Sequence, residues 1–261
     1  MSDSYSLYVD KDTVLHRLNA RAKLALALAL FAVAYVFGHP AVVAVPLALG
    51  FAGLVLGGGL RNLRRVWFIV VALFVVGLVV WPSFTEAGGP VVLETGFFSL
   101  SRRELLFSLG RSERITAFIL GGLVFVTTTS NEEIVRGMRE LGIPFAFCFA
   151  VGTALRLFPT FLGAAGTVRQ AQEARGLDLS GGNPIERVRK FVPLLIPVFM
   201  TAFRNIQTQS MALEARGFDT RRDRTFYRRE SFSTLDWAAT GLSVVVTVAA
   251  LVLSLLGFGQ V

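Results

Sequence analysis

Two segments of this 261-residue chain carry the pattern Ala-x-Glu-Ala-Arg-Gly-(Leu/Phe)-Asp. The first runs from Ala171 to Asp178 and the second from Ala212 to Asp219, which places Arg175 and Arg216 at the same position 41 residues apart. Neither segment carries a nucleophile, so the chemistry on offer is recognition. Arginine followed by glycine is how a helix commonly ends: glycine takes the left-handed cap conformation and the cation faces the negative end of the helix. Leu177 and Phe218 stand where such a cap makes its hydrophobic contact. Capping alone accounts for Arg-Gly, but not for the alanines. Ala171 and Ala212 lie four residues before the arginines, on the same helical face, and Ala174 and Ala215 lie beside them. The result is a bare helix end with one guanidinium, suited to insertion into a groove. Glu173 and Glu214 are also shared, although only Glu173 has a partner at i−4, Arg169. Two such ends point to a partner that also comes as a pair.

Composition sets the medium in which these ends work. Hydrophobic residues make up 53% of the chain and charged residues 17%, and mean hydropathy is +0.60. That balance fits a multi-span membrane protein rather than a soluble one. The net charge of +8 is nearly all arginine. In so apolar a chain it marks cytoplasmic loops facing anionic lipid, rather than nucleic acid. The runs Arg221-Arg222-Asp223-Arg224 and Arg228-Arg229 read the same way. Cys148 is the single cysteine, which excludes an intramolecular disulfide and a cysteine-based metal cluster. The only histidines are His16 and His39, so no metal site is expected. The beginning of the chain reads as carrying no signal peptide.

Apolar runs at 24–37 and 41–56, separated by Gly38-His39-Pro40, predict a helical hairpin. Each falls short of the ~20 residues of a span, and flanking residues extend both. Arg61, Arg64 and Arg65 then precede a third run at 66–81. Residues 83–100 read as loop. A helix is predicted over 101–129, and its Arg111, Glu113 and Arg114 need partners inside the bundle or on another subunit. The last span is 235–256. With the N-terminus in the cytoplasm, the positive-inside rule puts the Arg61–Arg65 loop and the segment after Ser130 inside, and the Glu86/Glu94 loop outside.

Between Asn131 and Glu230 lie two further apolar stretches, 145–168 and 188–203. Hydropathy alone allows them as sixth and seventh spans. Crossing would leave five basic residues outside, bury Arg156 near mid-membrane at a cost of at least ~2.5 kcal/mol, and put the two copies of the repeat on opposite faces. The favoured reading is an all-α membrane protein. It has about five transmembrane helices, four in residues 1–130 and a final one in 231–261, plus a cytoplasmic-side helical coupling domain over 131–230. Local signals agree: Ser130-Asn131-Glu132-Glu133 is a capping-box start, Gly142 and Pro144 stop that helix, and Asn183-Pro184 begins another. Pro159 and Pro197 read as proline-started helices, each ending in Arg-Gly.

At this point the chain resembles the transmembrane T component of energy-coupling factor transporters, the group that includes cobalt, nickel and biotin-type permeases. The resemblance rests on Leu15-His16-Arg17-Leu18-Asn19-Ala20-Arg21-Ala22-Lys23-Leu24, on Thr128-Thr129-Ser130-Asn131-Glu132-Glu133, on both Ala-Arg-Gly motifs and on the closing span. Ala20 and Asn131 depart from the family, which usually has proline at both. The resemblance implies a non-catalytic scaffold in the cell membrane, between two ABC ATPase subunits and a small substrate-binding membrane subunit, for uptake of a vitamin or transition-metal ion. It implies ATPase docking by Ala174, Arg175, Gly176, Ala215, Arg216 and Gly217, with Ala171, Glu173, Ala212 and Glu214 in support. It also implies apolar contact between residues 145–161 and the substrate-binding subunit. No cofactor is expected, and the chain has no Gly-x-x-x-x-Gly-Lys-(Ser/Thr) phosphate loop, so nucleotide is handled in trans. An intramembrane enzyme would need paired nucleophile and base within the spans, and Cys148 has no histidine near it in sequence. A self-contained seven-span permease is the other alternative.

Overall fold

The protein is described here from a computed structural model, over residues 7–84, 91–95, 98–177, 183–219 and 231–259. It is an all-α membrane protein with, among the described residues, one small two-stranded hairpin. The helices are α1 (Val14–Arg17), α2 (Ala20–Val36), α3 (Pro40–Leu56), α4 (Leu60–Val80), α5 (Arg102–Thr128), α6 (Asn131–Glu140), α7 (Phe145–Ala174), α8 (Pro184–Ala215) and α9 (Thr234–Leu255). The chain divides into two compact units, one of Ser6–Gly137 with Arg229–Val261 and the other built on Met138–Arg228. The division falls inside α6.

The first unit is organised around α5. This helix packs against α2, α3 and α4, while α9 packs on α2. Its 27 residues are ~40 Å long at ~1.5 Å per residue, longer than a hydrocarbon core of ~30 Å. Ser101 and Glu104 start it with a reciprocal capping box. Leu54, Leu120 and Leu123 form one core cluster, and Phe37, Val43 and Ala250 another. Small residues let the helices close up, as membrane helices do in the absence of a water-driven hydrophobic term. A Cβ added at Gly50 would stand 3.2 Å from Leu120 Cβ, and one at Gly121 would stand 2.8 Å from Phe31. The outer surface is apolar: Phe68, Val76 and Val79 on α4 and Leu242, Val245 and Val248 on α9 are all exposed, the inverse of a soluble protein's pattern. α4, α7 and α9 are long and apolar enough to cross a membrane, and α3 is a shorter apolar helix.

Three local differences from expectation have physical reasons. The α3–α4 connection is only Gly57–Gly59, with Gly58 at φ +71, so Arg61, Arg64 and Arg65 belong to the first turns of α4, where long side chains can reach the interface from a helix. The stretch expected as loop before α5 holds an antiparallel hairpin, β1 (Val91–Thr95) with β2 (Phe98–Ser101). Pro159 is internal to α7, and Pro193 and Pro197 are internal to α8. Within these two helices only Pro184 stands at a start, and neither helix is broken by its prolines.

Two arginines of α5, Arg111 and Arg114, find partners within the bundle. Arg114 donates to the carbonyls of Ala34 (2.9 Å) and Phe37 (2.6 Å), so one side chain satisfies acceptors left open at the end of α2. Arg111 lies over the rings of Trp81 (4.4 Å) and Phe107 (4.5 Å). Glu113 Oε2 is buried and has no hydrogen-bond partner among the described residues. His39 Nδ1 accepts from Ala41 N at 3.3 Å and starts α3. His16 Nδ1 lies 2.7 Å from Thr13 Oγ1 in a hydrogen bond and its Nε2 donates to the Val9 carbonyl (2.8 Å), which orders the segment before α2.

Candidate functional site

The two repeats fold into two copies of one local structure. In the first, Gly176 takes φ +90, Leu177 N donates to Gln172 O at 3.0 Å, and Gly176 N donates to Glu173 O at 3.0 Å. In the second, Gly217 takes φ +66, Phe218 N donates to Leu213 O at 3.0 Å, and Gly217 N donates to Glu214 O at 2.8 Å. Both are Schellman ends with the arginine at the cap position. The left-handed φ requires glycine here, because a Cβ in that region meets the following carbonyl. Crowding does not require it: a Cβ at either glycine would meet nothing within 4 Å.

Both ends face outward. Ala171, Glu173, Ala174, Arg175 and Gly176 are exposed, and so are Ala212, Glu214, Ala215, Arg216 and Gly217. The alanines therefore carry no packing inside this chain. Arg175 and Arg216 make no ion pair or side-chain hydrogen bond among the described residues. The copies differ at the glutamates, since Glu173 pairs with Arg169 at 2.8 Å and Glu214 makes no such pair among the described residues. An exposed ion pair of that kind adds little to stability. Asp178, at the end of the first copy, lies outside the described residues.

α7 and α8 run antiparallel. Phe149 and Phe145, at the start of α7, stack on Phe218 just past the end of α8, at 4.6 and 6.3 Å between ring centroids. Gln172, at the end of α7, donates to the Pro193 carbonyl in the first third of α8 at 3.4 Å. The two Arg-Gly ends consequently sit at opposite ends of the pair. The stretch of α8 from Pro193 to Arg216 spans ~35 Å at ~1.5 Å per residue, which sets the order of separation of the two guanidinium groups. Reading the sequence position by position misses the aromatic lock on Phe218. Its signal is the i, i+4 pair Phe145/Phe149 together with phenylalanine where the first copy has Leu177.

Between them, α8 exposes a run of apolar side chains that includes Val192, Ile196, Phe199, Phe203 and Ile206, alternating at three and four residues as one stripe of a helix. Among the described residues no group of three or more His, Cys, Asp or Glu could hold a metal ion. The arrangement offers two matching cationic helix ends on one antiparallel helix pair, and an apolar stripe along α8.

Known proteins are similar to this chain over nearly its whole length. The sequence profile of the cobalt transport protein family, CbiQ, matches residues 11–227. The energy-coupling factor transporter transmembrane protein EcfT of Thermanaerovibrio acidaminovorans is 31% identical over 260 aligned positions, covering 94% of this chain and 93% of the relative. Its counterpart in Limosilactobacillus fermentum is 28% identical over 254 positions, covering 94% of each. The Bacillus subtilis protein of the same name is 28% identical over 258 positions, covering 94% and 93%.

Proposed function

Because this chain belongs to the cobalt transport protein family and groups with the transmembrane components of energy-coupling factor transporters, we propose that it is the scaffold on which two ABC ATPase subunits and a small substrate-binding membrane subunit assemble. Arg175 anchors one ATPase and Arg216 the other. Ala174, Gly176, Ala215 and Gly217 keep the surroundings of each guanidinium bare, so that the helix end can enter a groove, and Ala171 and Ala212 extend that bare face. ATP is bound and hydrolysed by the partners. The cargo is a vitamin or a transition-metal ion delivered by the substrate-binding subunit.

The observation that carries this reading is the duplication of one exposed Arg-Gly end at the two ends of an antiparallel helix pair. A capped end that served only its own helix would not need an identical bare face in both copies. A spacing of the order of 35 Å gives each end a separate protein to meet. In this reading α7 and α8 lie along the cytoplasmic face, residues 131–230 form the coupling domain, and the N-terminus is cytoplasmic.

One observation favours a second topology: α7 is apolar and long enough to cross a membrane. An antiparallel crossing pair would place Arg175 and Arg216 on opposite faces, where only one could meet a cytoplasmic ATPase. A cysteine at position 181, on the connection between the two helices, separates the readings. Labelling by a membrane-impermeant maleimide only from the cytoplasmic side supports the scaffold, and labelling only from outside refutes it.

A further inference from the structure

The base of α6 is tied to α2 by an arrangement that capping does not explain. Lys23 is 4% exposed. Its Nζ donates to the Thr128 carbonyl at 2.7 Å, where α5 ends, and to Glu133 Oε2 at 3.0 Å, in the first turn of α6. The same Glu133 oxygen accepts from Ser130 N at 3.1 Å, and Glu133 N donates back to Ser130 Oγ at 3.2 Å. One carboxylate thus caps α6 and binds α2 at once. One turn further along α6 and one turn back along α2, a Cβ added at Gly137 would stand 3.1 Å from Ala20 Cβ. Two points of attachment on matching faces fix the direction of α6, where one alone would leave a swivel.

Three neighbouring hydrogen bonds anchor this node to the spans. Asn19 N donates to Asp236 Oδ1 at 2.7 Å, and the Asp236 carboxylate caps α9 through Ser233. Thr127 O accepts from Val9 N at 3.1 Å, and Thr127 Oγ1 accepts from Asn62 Nδ2 at 3.1 Å. Lys23 therefore stands where the starts of α2, α6 and α9 and the end of α5 meet. α6 is also a continuous helix across the division of the chain, with Asn131–Gly137 in one unit and residues from Met138 onward in the other.

We infer that Lys23 and Glu133 form the joint through which movement of the Met138–Arg228 unit is passed to the membrane helices, with Lys23 as its positioning residue. This rests on the scaffold reading above, since the ATPases supply the movement. An ion pair at the base of a continuous helix turns a tilt of that helix into a displacement of α2. Without the pair, α6 could tilt about its base and leave α2 behind.

The test uses the complex with its cognate ATPases in liposomes. Spin labels are placed on exposed positions of two membrane helices, Leu28→Cys on α2 and Leu73→Cys on α4, with Cys148→Ala. Pulsed electron resonance then reads their separation with and without ATP and vanadate. The unaltered joint gives a nucleotide-dependent shift. Lys23→Met removes the donor while leaving the Glu133–Ser130 cap in place. It is expected to abolish the shift, while ATPase co-purification and ATP hydrolysis persist. A wild-type shift in Lys23→Met, no shift in the unaltered joint, or loss of the ATPases along with the shift would each overturn the joint. Should Lys23→Met fail to fold, Lys23→Gln is read by the same criteria, because the shorter, uncharged side chain breaks the ion pair and leaves the Glu133 cap on Ser130 in place. Failure of the ATPases to bind the unaltered protein would instead sink the scaffold reading itself.

Discussion

Replacing Arg216 with alanine removes a guanidinium that is exposed and has no ion-pair or hydrogen-bond partner among the described residues. The isolated protein should barely register the change. The Schellman bonds of Gly217 and Phe218 are backbone bonds and survive, and removing a cation from a helix end costs only ~0.3–1 kcal/mol. Binding should register it strongly. Truncating one member of a buried, charge-assisted pair at an interface costs ~2–5 kcal/mol, which at ~1.4 kcal/mol per tenfold weakens affinity for one ATPase by roughly 30- to 4,000-fold. Arg175→Ala should do the same at the other end. With the ends of the order of 35 Å apart, the two effects should add within about 0.5 kcal/mol. The assay is titration of each purified ATPase onto detergent-solubilised protein, with a melting curve as control. Wild-type affinity in both single variants would refute the anchor argument. A strong drop in melting temperature in either variant would show that the arginines serve the fold instead.

Further outcomes follow from the same geometry. Gly217→Ala forces a Cβ into the left-handed region at ~1–2 kcal/mol and meets no neighbour, so local hydrogen exchange at residues 213–218 should quicken without global unfolding. Arg114→Met strips the carbonyls of Ala34 and Phe37 of a cationic donor; at ~1.5–3 kcal/mol per such bond, the melting temperature in detergent should fall clearly. The Asp12 carboxyl is held below its ordinary range by its hydrogen bond and charge attraction to Arg17, so the pair is complete above the ordinary carboxylate pKa and is lost as pH falls through the depressed one. Nuclear magnetic resonance titration of Asp12 should show that depression disappear in Arg17→Ala.

What the sequence discloses and what it conceals divide along the range of the interaction. Gly38-His39-Pro40 marks the break between α2 and α3 because it combines a flexible residue, a capping side chain and a proline at the first helical position. Ser101 with Glu104, Ser130 with Glu133, and Arg-Gly at both repeat ends are equally local, and each is found as a cap. The partners of Arg111 and Arg114 are not legible. Arg114 reaches main-chain carbonyls of α2, about 80 residues earlier in the chain, and no side-chain pattern announces a backbone acceptor. The antiparallel setting of α7 and α8 escapes for the same reason, since it rests on Phe218 against Phe149 and on Gln172 against a proline carbonyl. The helices continue through Pro159, Pro193 and Pro197 although proline withdraws a donor. Apolar residues on both sides favour a helix in which most backbone groups stay paired over one that stops.

The central claim is that one chain holds two ATPases at once through its two Arg-Gly ends. A photo-reactive amino acid placed at Ala174, at Ala215, and at both together tests it directly by the mass of the adduct. Each single position should give one chain joined to one ATPase, and the double should give one chain joined to two. A double that never exceeds one ATPase, or cross-links that form only to lipid, would contradict the account.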